Sequence, residues 1–210
     1  MNMPQFYRNE PPRPYVSRHL LSHEEVSALP RQDLRFDWYG AAVNPPMRYS
    51  LAFDPESIWL WGERGAPPQC DMSLALGTFV EGLWKAEVIE LFLSEDRASS
   101  TRYREFNLSP VGAWWSACFS SYRTVTSEIS DDALKEKTIC WSSSKDAPHA
   151  WNACLKVPVG ALGIYINGET PPRLNVTAIV PVPGAAEPHY LSAHAFQGEP
   201  DFHLVHQISK

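Results

Sequence analysis

At 210 residues, 44% hydrophobic and 20% charged, the chain is long enough for a substantial domain with a sizeable core, and disorder is excluded as its default state. A formal charge of -6, with no stretch that gathers Lys and Arg, excludes a protein that binds by neutralising phosphates, so neither nucleic acid nor an anionic membrane is expected as a partner. No apolar run reaches the length of a membrane-spanning helix.

In chain order, residues 1–16 are rich in proline and are expected to run extended over the surface, with residues 17–210 forming a single domain. The opening stretch "MNMPQFYRNEPPRPYVSRHLL" has prolines and charges where a secretory signal has an apolar run, so the sequence predicts no export and a cytoplasmic location. In "SHEEVSALP", Ser22 caps a short helix, Glu25 takes the capping-box position and Pro30 ends it. The texture then changes. "MRYSLAFD", "SIWLW", "EVIELFL", "YREFNLSP", "TIC", "AWNACLKVP", "GIYIN" and "RLNVTAIVPV" are short runs of Val, Ile, Leu and aromatics bounded by Pro, Gly, Asp and Ser, which is the pattern of strands. Only "SDDALKEK" reads as a further helical turn, with Ser130 or Asp131 as its cap. The fold class predicted is all-β, a two-sheet antiparallel β-sandwich with a short N-terminal helix. Cys70, Cys118, Cys140 and Cys154 form no Cys-x-x-Cys pair and are expected to be reduced, mostly buried thiols.

Alternation sorts the side chains of the two strands that carry acids. Ile89, Leu91 and Leu93 share one face, and Val88, Glu90 and Phe92 the other. In "YREFNLSP", Phe106 and Leu108 lie opposite Tyr103, Glu105 and Asn107. Both strands are therefore expected to be half-buried, with an apolar face and a face of mixed acid, amide and aromatic groups. If they are neighbours, Glu90, Tyr103, Glu105 and Asn107 converge, although a single sequence does not fix the register. Glu87 falls by parity on the core side, close enough to the strand's start to reach solvent or a cation.

The ordered strings "LWKAEVIELFLS", "YREFNLSPVGAWW", Phe119 to Arg123, "AWNACLKVPVGALG" and "PDFH" at Pro200 to His203 resemble the family 9 carbohydrate-binding modules, in the branch related to DOMON-type sandwich domains. The likeness spans roughly residues 45 to 205. It implies a β-sandwich without catalysis of its own that holds a mono- or oligosaccharide between aromatic side chains, in carbohydrate catabolism. By the same resemblance Trp84 forms one wall of a sugar clamp, Glu90 accepts bonds from sugar hydroxyls, and Glu105 and Asn107 lie on the polar face of the next strand. The second wall falls in "SAHAFQGEPDFH", which offers Phe196 and Phe202 with His194 and His203 but no tryptophan. Ala86 and Glu87 stand where the family often carries aspartates, which weakens any inference of a calcium site. The chemistry is apt for a sugar: a flat ring covers its C–H face and planar polar groups satisfy its rim hydroxyls.

Other readings compete for the same residues. Trp59 and Trp61 alternate onto one face and are expected to fill the gap between the sheets, while Trp114 and Trp115 follow a Pro-x-Gly turn that favours exposure. His203 and His206 are spaced H-x-x-H, which on a strand points two rings opposite ways, so no metal is expected and His203 reads better as an anchor for the terminal segment. Glycoside hydrolysis needs two carboxylates; Glu87 and Glu90 face apart, Glu90 with Glu105 remains, and no other nucleophile motif exists. Haem ligation by Met47 or Met72 lacks a paired histidine, so no cofactor is expected. The remaining alternative to sugar binding is an interaction domain that keeps the sandwich without the site.

Overall fold

The computed structural model describes residues 8–97, 99–147, 149–167, 171–194 and 196–208. The fold is a β-sandwich of two six-stranded sheets. The first sheet contains β1 (Tyr15–Val16), β2 (Gln32–Phe36), β3 (Ala42–Phe53), β4 (Ser57–Arg64), β9 (Ile139–Ser142) and β10 (Trp151–Pro158). Its order is β1-β3-β4-β10-β9, with β2 also on β3 and only β1 parallel to its neighbour. The second sheet is antiparallel throughout, in the order β12-β11-β5-β6-β7-β8. Its strands are β5 (Val88–Ser94), β6 (Tyr103–Leu108), β7 (Trp114–Ser121), β8 (Thr124–Val125), β11 (Leu174–Val180) and β12 (His189–Ser192). Two short helices complete the chain, α1 (His23–Ser27) and α2 (Asp132–Lys137).

Three apolar layers follow from strand alternation. The central core lies between the sheets, where Leu51, Ile58 and Leu60 meet Ile89, Leu91, Leu93, Phe106, Leu108 and Val176. At its centre the sheets approach so closely that a Cβ built on Gly62 would stand 2.8 Å from Ile89 Cγ2. A second layer covers the outer face of the first sheet, where Trp59, Trp61 and Cys154 pack under Leu21 and Val26. Trp59 and Trp61 are thus buried, but not between the sheets as the sequence suggests. Inner positions of β4 belong to Ile58 and Leu60, and α1 supplies the cover for the tryptophans. That helix is held by the anticipated reciprocal cap, with Ser22 accepting from the Glu25 N–H and Glu25 from the Ser22 N–H.

The third layer decides the site. Val88, Phe92, Tyr103, Ala117, Phe119 and Ile179 on the outer face of the second sheet are covered by Phe202, Val205 and Ile208 of the C-terminal segment. Every residue of β5 and β6 is consequently buried, which corrects the expectation of half-buried strands. The remaining departures are local. "GIYIN" forms no strand: Tyr165 sends its N–H to the Glu95 carboxylate, and its carbonyl accepts from Asp96, so neither bond is left for a neighbouring strand. Residues 1–7 of the expected extended segment lie outside the described residues, and Tyr15–Val16 joins the first sheet beside β3. The four cysteines are free, three of them buried, and burial pushes the Cys140 thiol up to about 12.

Two buried cations tie loops to this frame. Arg64 pairs with the fully buried Glu87 at 3.0 Å, while Glu87 also accepts the Gln69 N–H at 2.8 Å, fixing the long loop that leads into β5. Burial pushes the Glu87 carboxyl up, and those two partners draw it back. Arg104 turns inward from β6 and is neutralised by Asp131 at the start of α2, with further bonds to Ser116 Oγ and the Leu162 carbonyl.

Candidate functional site

The register of the second sheet sets its outer face in rows. One row runs Ser192, Thr177, Glu90, Asn107, Trp115 across β12, β11, β5, β6 and β7. The next runs Asn175, Phe92, Glu105, Ala117 across β11 to β7. A polar patch of Glu90, Glu105, Asn107, Thr177, Asn175 and Ser192 therefore occupies the middle of a largely apolar face. All six are buried.

Their bonds are short and mostly internal. Thr177 Oγ1 donates to Glu90 Oε2 at 2.8 Å, and Asn107 Nδ2 donates to Glu105 Oε1 at 2.8 Å. Asn175 Nδ2 donates to Ser192 Oγ at 2.9 Å, and Ser192 passes its own hydrogen to the His194 carbonyl at 2.7 Å. Asn107 Oδ1 is buried with no hydrogen-bond partner in the protein, although its residue is fully inaccessible. Such an atom costs free energy on the order of 1–3 kcal/mol unless something donates to it.

Electrostatics follow from the burial. Glu90 is held well above the ordinary carboxylate range, first by desolvation and then by the charge of Glu105. Burial raises Glu105 to about 7, against the opposing pull of its Asn107 bond and of Arg123. At neutral pH the pair therefore holds protons that exposed glutamates would have lost.

Aromatic groups stand on either side. Towards β7, Trp84 meets Trp115 edge-on with ring centroids 5.1 Å apart, and both are half-buried. Gly82 brings Trp84 there, because its φ of 90° turns the chain immediately before a 3-10 turn, Leu83–Lys85. Over β5, Phe202 packs against Phe92, Trp38 and Tyr190, and Trp38 in turn stacks on Phe196. His203 lies beside Phe92, Phe119 and Tyr103. The Tyr103 hydroxyl accepts the Arg123 N–H at 3.0 Å and shares a hydrogen bond with His203 Nδ1 at 2.8 Å. Burial lowers the His203 pKa to about 4, which keeps the ring neutral and able to accept.

All eight residues singled out in the sequence lie on this face or in the segment over it, but they divide into two groups. Trp84, Glu90, Glu105 and Asn107 gather about the polar patch. Phe196, Phe202 and His203 belong to the covering segment, and Tyr103 lies on β6 beneath it. Thr177, the row neighbour that bonds Glu90, was not among the candidates; the alternation of Asn175 and Thr177 with Val176 and Ala178 in "RLNVTAIVPV" carries the signal that finds it. No group of acidic, His or Cys side chains among the described residues is arranged to hold a metal ion.

No family model matches the chain, and no curated protein matches it in sequence. Solved structures match in fold. A protein of Bacteroides uniformis ATCC 8492 to which carbohydrate binding is provisionally ascribed superposes with a TM-score of 0.67 at 16% identity, over 93% of this chain and 94% of that one. A family 9 carbohydrate-binding module of Caldicellulosiruptor kristjanssonii, solved with cellotriose, superposes with a TM-score of 0.52 at 10% identity, over 86% and 84%. The chain has the fold of a family 9 carbohydrate-binding module.

Proposed function

We propose that this chain is a carbohydrate-binding domain whose sugar site is the polar patch on the outer face of its second sheet. The observation that carries the reading is the row Thr177, Glu90, Asn107, Trp115, with the orphaned Asn107 oxygen in its middle. A pyranose supplies what that row lacks: hydroxyl donors for Asn107 and the carboxylates, and an apolar face for Trp84 and Trp115 to cover. Phe202 and Phe196 close the opposite side. The fold shared with a module crystallised on cellotriose favours the same reading.

The role is binding without hydrolysis. Glu90 and Glu105 are tied to Thr177 and Asn107 on the sheet floor, where their carboxyls exchange hydrogen bonds with rim hydroxyls. Calorimetric titration with glucose, cellobiose and cellotriose tests the proposal, with Trp84→Ala and Asn107→Ala alongside. Binding that weakens about tenfold or more in either variant supports it. Absence of heat with every sugar, or variants that bind as the wild type does, would overturn it. Release of nitrophenol from nitrophenyl glycosides, abolished by Glu105→Gln, would overturn the non-catalytic part alone.

A further inference from the structure

The polar patch is unbalanced in its hydrogen-bonding sense. Its bonded donors point inward: the Thr177 hydroxyl is on Glu90, and Asn107 Nδ2 is on Glu105. Apart from the protons that burial keeps on the two carboxyls, what remains is acceptor capacity, including Asn107 Oδ1, fully buried in the row of Glu90 and without a partner. An oxygen so placed is open to a donor, whether a water or the polar group of a ligand.

Charge points the same way. The titratable and charged groups about the patch are Glu90 on β5, Glu105 and Tyr103 on β6, Tyr190 on β12, His194 just beyond it, whose pKa burial lowers, Asp201 and His203 from the C-terminal segment, and Arg123 from the turn between β7 and β8. Strands β7, β11 and β12 bring Trp115, Thr177, Asn175 and Ser192, none of them charged. The cation whose field reaches Glu105, Arg123, is half-exposed and already paired with Asp201 at 3.0 Å. Among the described residues none donates a charged hydrogen bond to Glu90 or Glu105.

We infer that the site selects sugars by charge: it binds an amino sugar, through its ammonium group, more tightly than the neutral sugar, and it rejects uronic acids and sugar phosphates. The inference rests on the sugar-binding reading above. An ammonium brings three donors and a positive charge to two carboxylates and an unsatisfied amide oxygen, and charge-assisted bonds are roughly twice as strong as neutral ones. A carboxylate or phosphate in the same place would be desolvated with no cation among the described residues about the patch free to pair with it, and an unpaired buried ion carries a heavy cost. In the free protein, burial keeps protons on Glu90 and Glu105. An ammonium takes over their neutralising role, and those protons leave to the buffer.

Titration calorimetry of the intact chain at neutral pH with glucose, glucosamine, N-acetylglucosamine and glucuronate, in two buffers of different ionisation enthalpy, tests this. Glucosamine is expected to bind about tenfold tighter than glucose, with an enthalpy that changes with the buffer. N-acetylglucosamine, which has lost the charge, is expected to be no tighter than glucose, and glucuronate to give no binding. Glu90→Gln and Glu105→Gln, each checked for an unchanged far-ultraviolet spectrum, should bring the glucosamine advantage down towards unity. If either variant fails to fold, the wild-type ratio and its buffer dependence decide. Glucose binding as tightly as glucosamine, or glucuronate as tightly as glucose, refutes the charge selection and leaves sugar binding standing. Silence with all four ligands refutes both.

Discussion

Glu105 and His203 face one another's consequences across the Tyr103 edge of the buried face, and their pH dependences run in opposite directions. Glu105 has a folded-state pKa of about 7 against an ordinary 4.5, so between those values the folded chain holds a proton that the unfolded chain has released. Stability is then full below that window and falls as pH rises through it. His203 is lowered from 6.5 to about 4, so the unfolded chain takes up a proton first and stability falls as pH drops through that range. Each group contributes at about 1.4 kcal/mol per pH unit over which only one state is protonated. Urea denaturation of wild type, Glu105→Gln and His203→Asn across these windows checks the signs. The first variant is expected to flatten the loss as pH rises from 4.5 to about 7, and the second the loss as pH falls from 6.5 to about 4; unchanged slopes would contradict both assignments. At this scale the sequence was most readable where chemistry is local. Glu90, Glu105 and Asn107 are conspicuous as acids and an amide in otherwise apolar strands, and Ser22 with Glu25 spells out a cap. The partner of Glu87 was not readable, because Arg64 is distant in sequence and meets it only through the loop between β4 and β5.

Strands, helices and their contacts form the next scale, and here the tight spacing of the two sheets at Gly62 makes a prediction. An added Cβ at 2.8 Å from Ile89 Cγ2 meets a branched side chain that is itself buried, so it has little room to yield. Gly62→Ala is expected to destabilise by about 1–3 kcal/mol, the usual cost of overpacking. Ile89→Ala, costly alone, is expected to cost less in the Gly62→Ala background, and a double-mutant cycle by urea denaturation measures that coupling. Additive losses would mean the sheets relax at no cost. The strands themselves were largely legible, since β3, β4, β5, β6, β9, β10 and β11 each contain a run marked by β-branched or aromatic residues. The failures have a common cause. "GIYIN" has the composition of a strand, but its backbone is occupied by the Glu95 loop; β12 is short and begins at a histidine, and its identity comes from pairing with β11.

For the molecule as a whole, the C-terminal segment is an outer layer that the second sheet needs. Phe202, Val205 and Ile208 cover Phe92, Tyr103 and Phe119, and without them that face presents an aromatic surface to water. Deleting residues 196–210 is expected to lower the melting temperature and to produce strong dye binding of the kind given by exposed apolar surface, with the strand signal in far-ultraviolet circular dichroism retained. An unchanged melting temperature without dye binding would remove the structural role of the segment. The sequence by itself determined the class of fold and which two strands carry acids, because composition, turn residues and a period of two are properties of neighbouring residues. Tertiary structure alone decided that Glu90 stands beside Thr177, that Trp84 meets Trp115, and that both strands are buried on both faces. Register and cover are settled by which distant segments pack together, and alternation along one strand is blind to what lies above it.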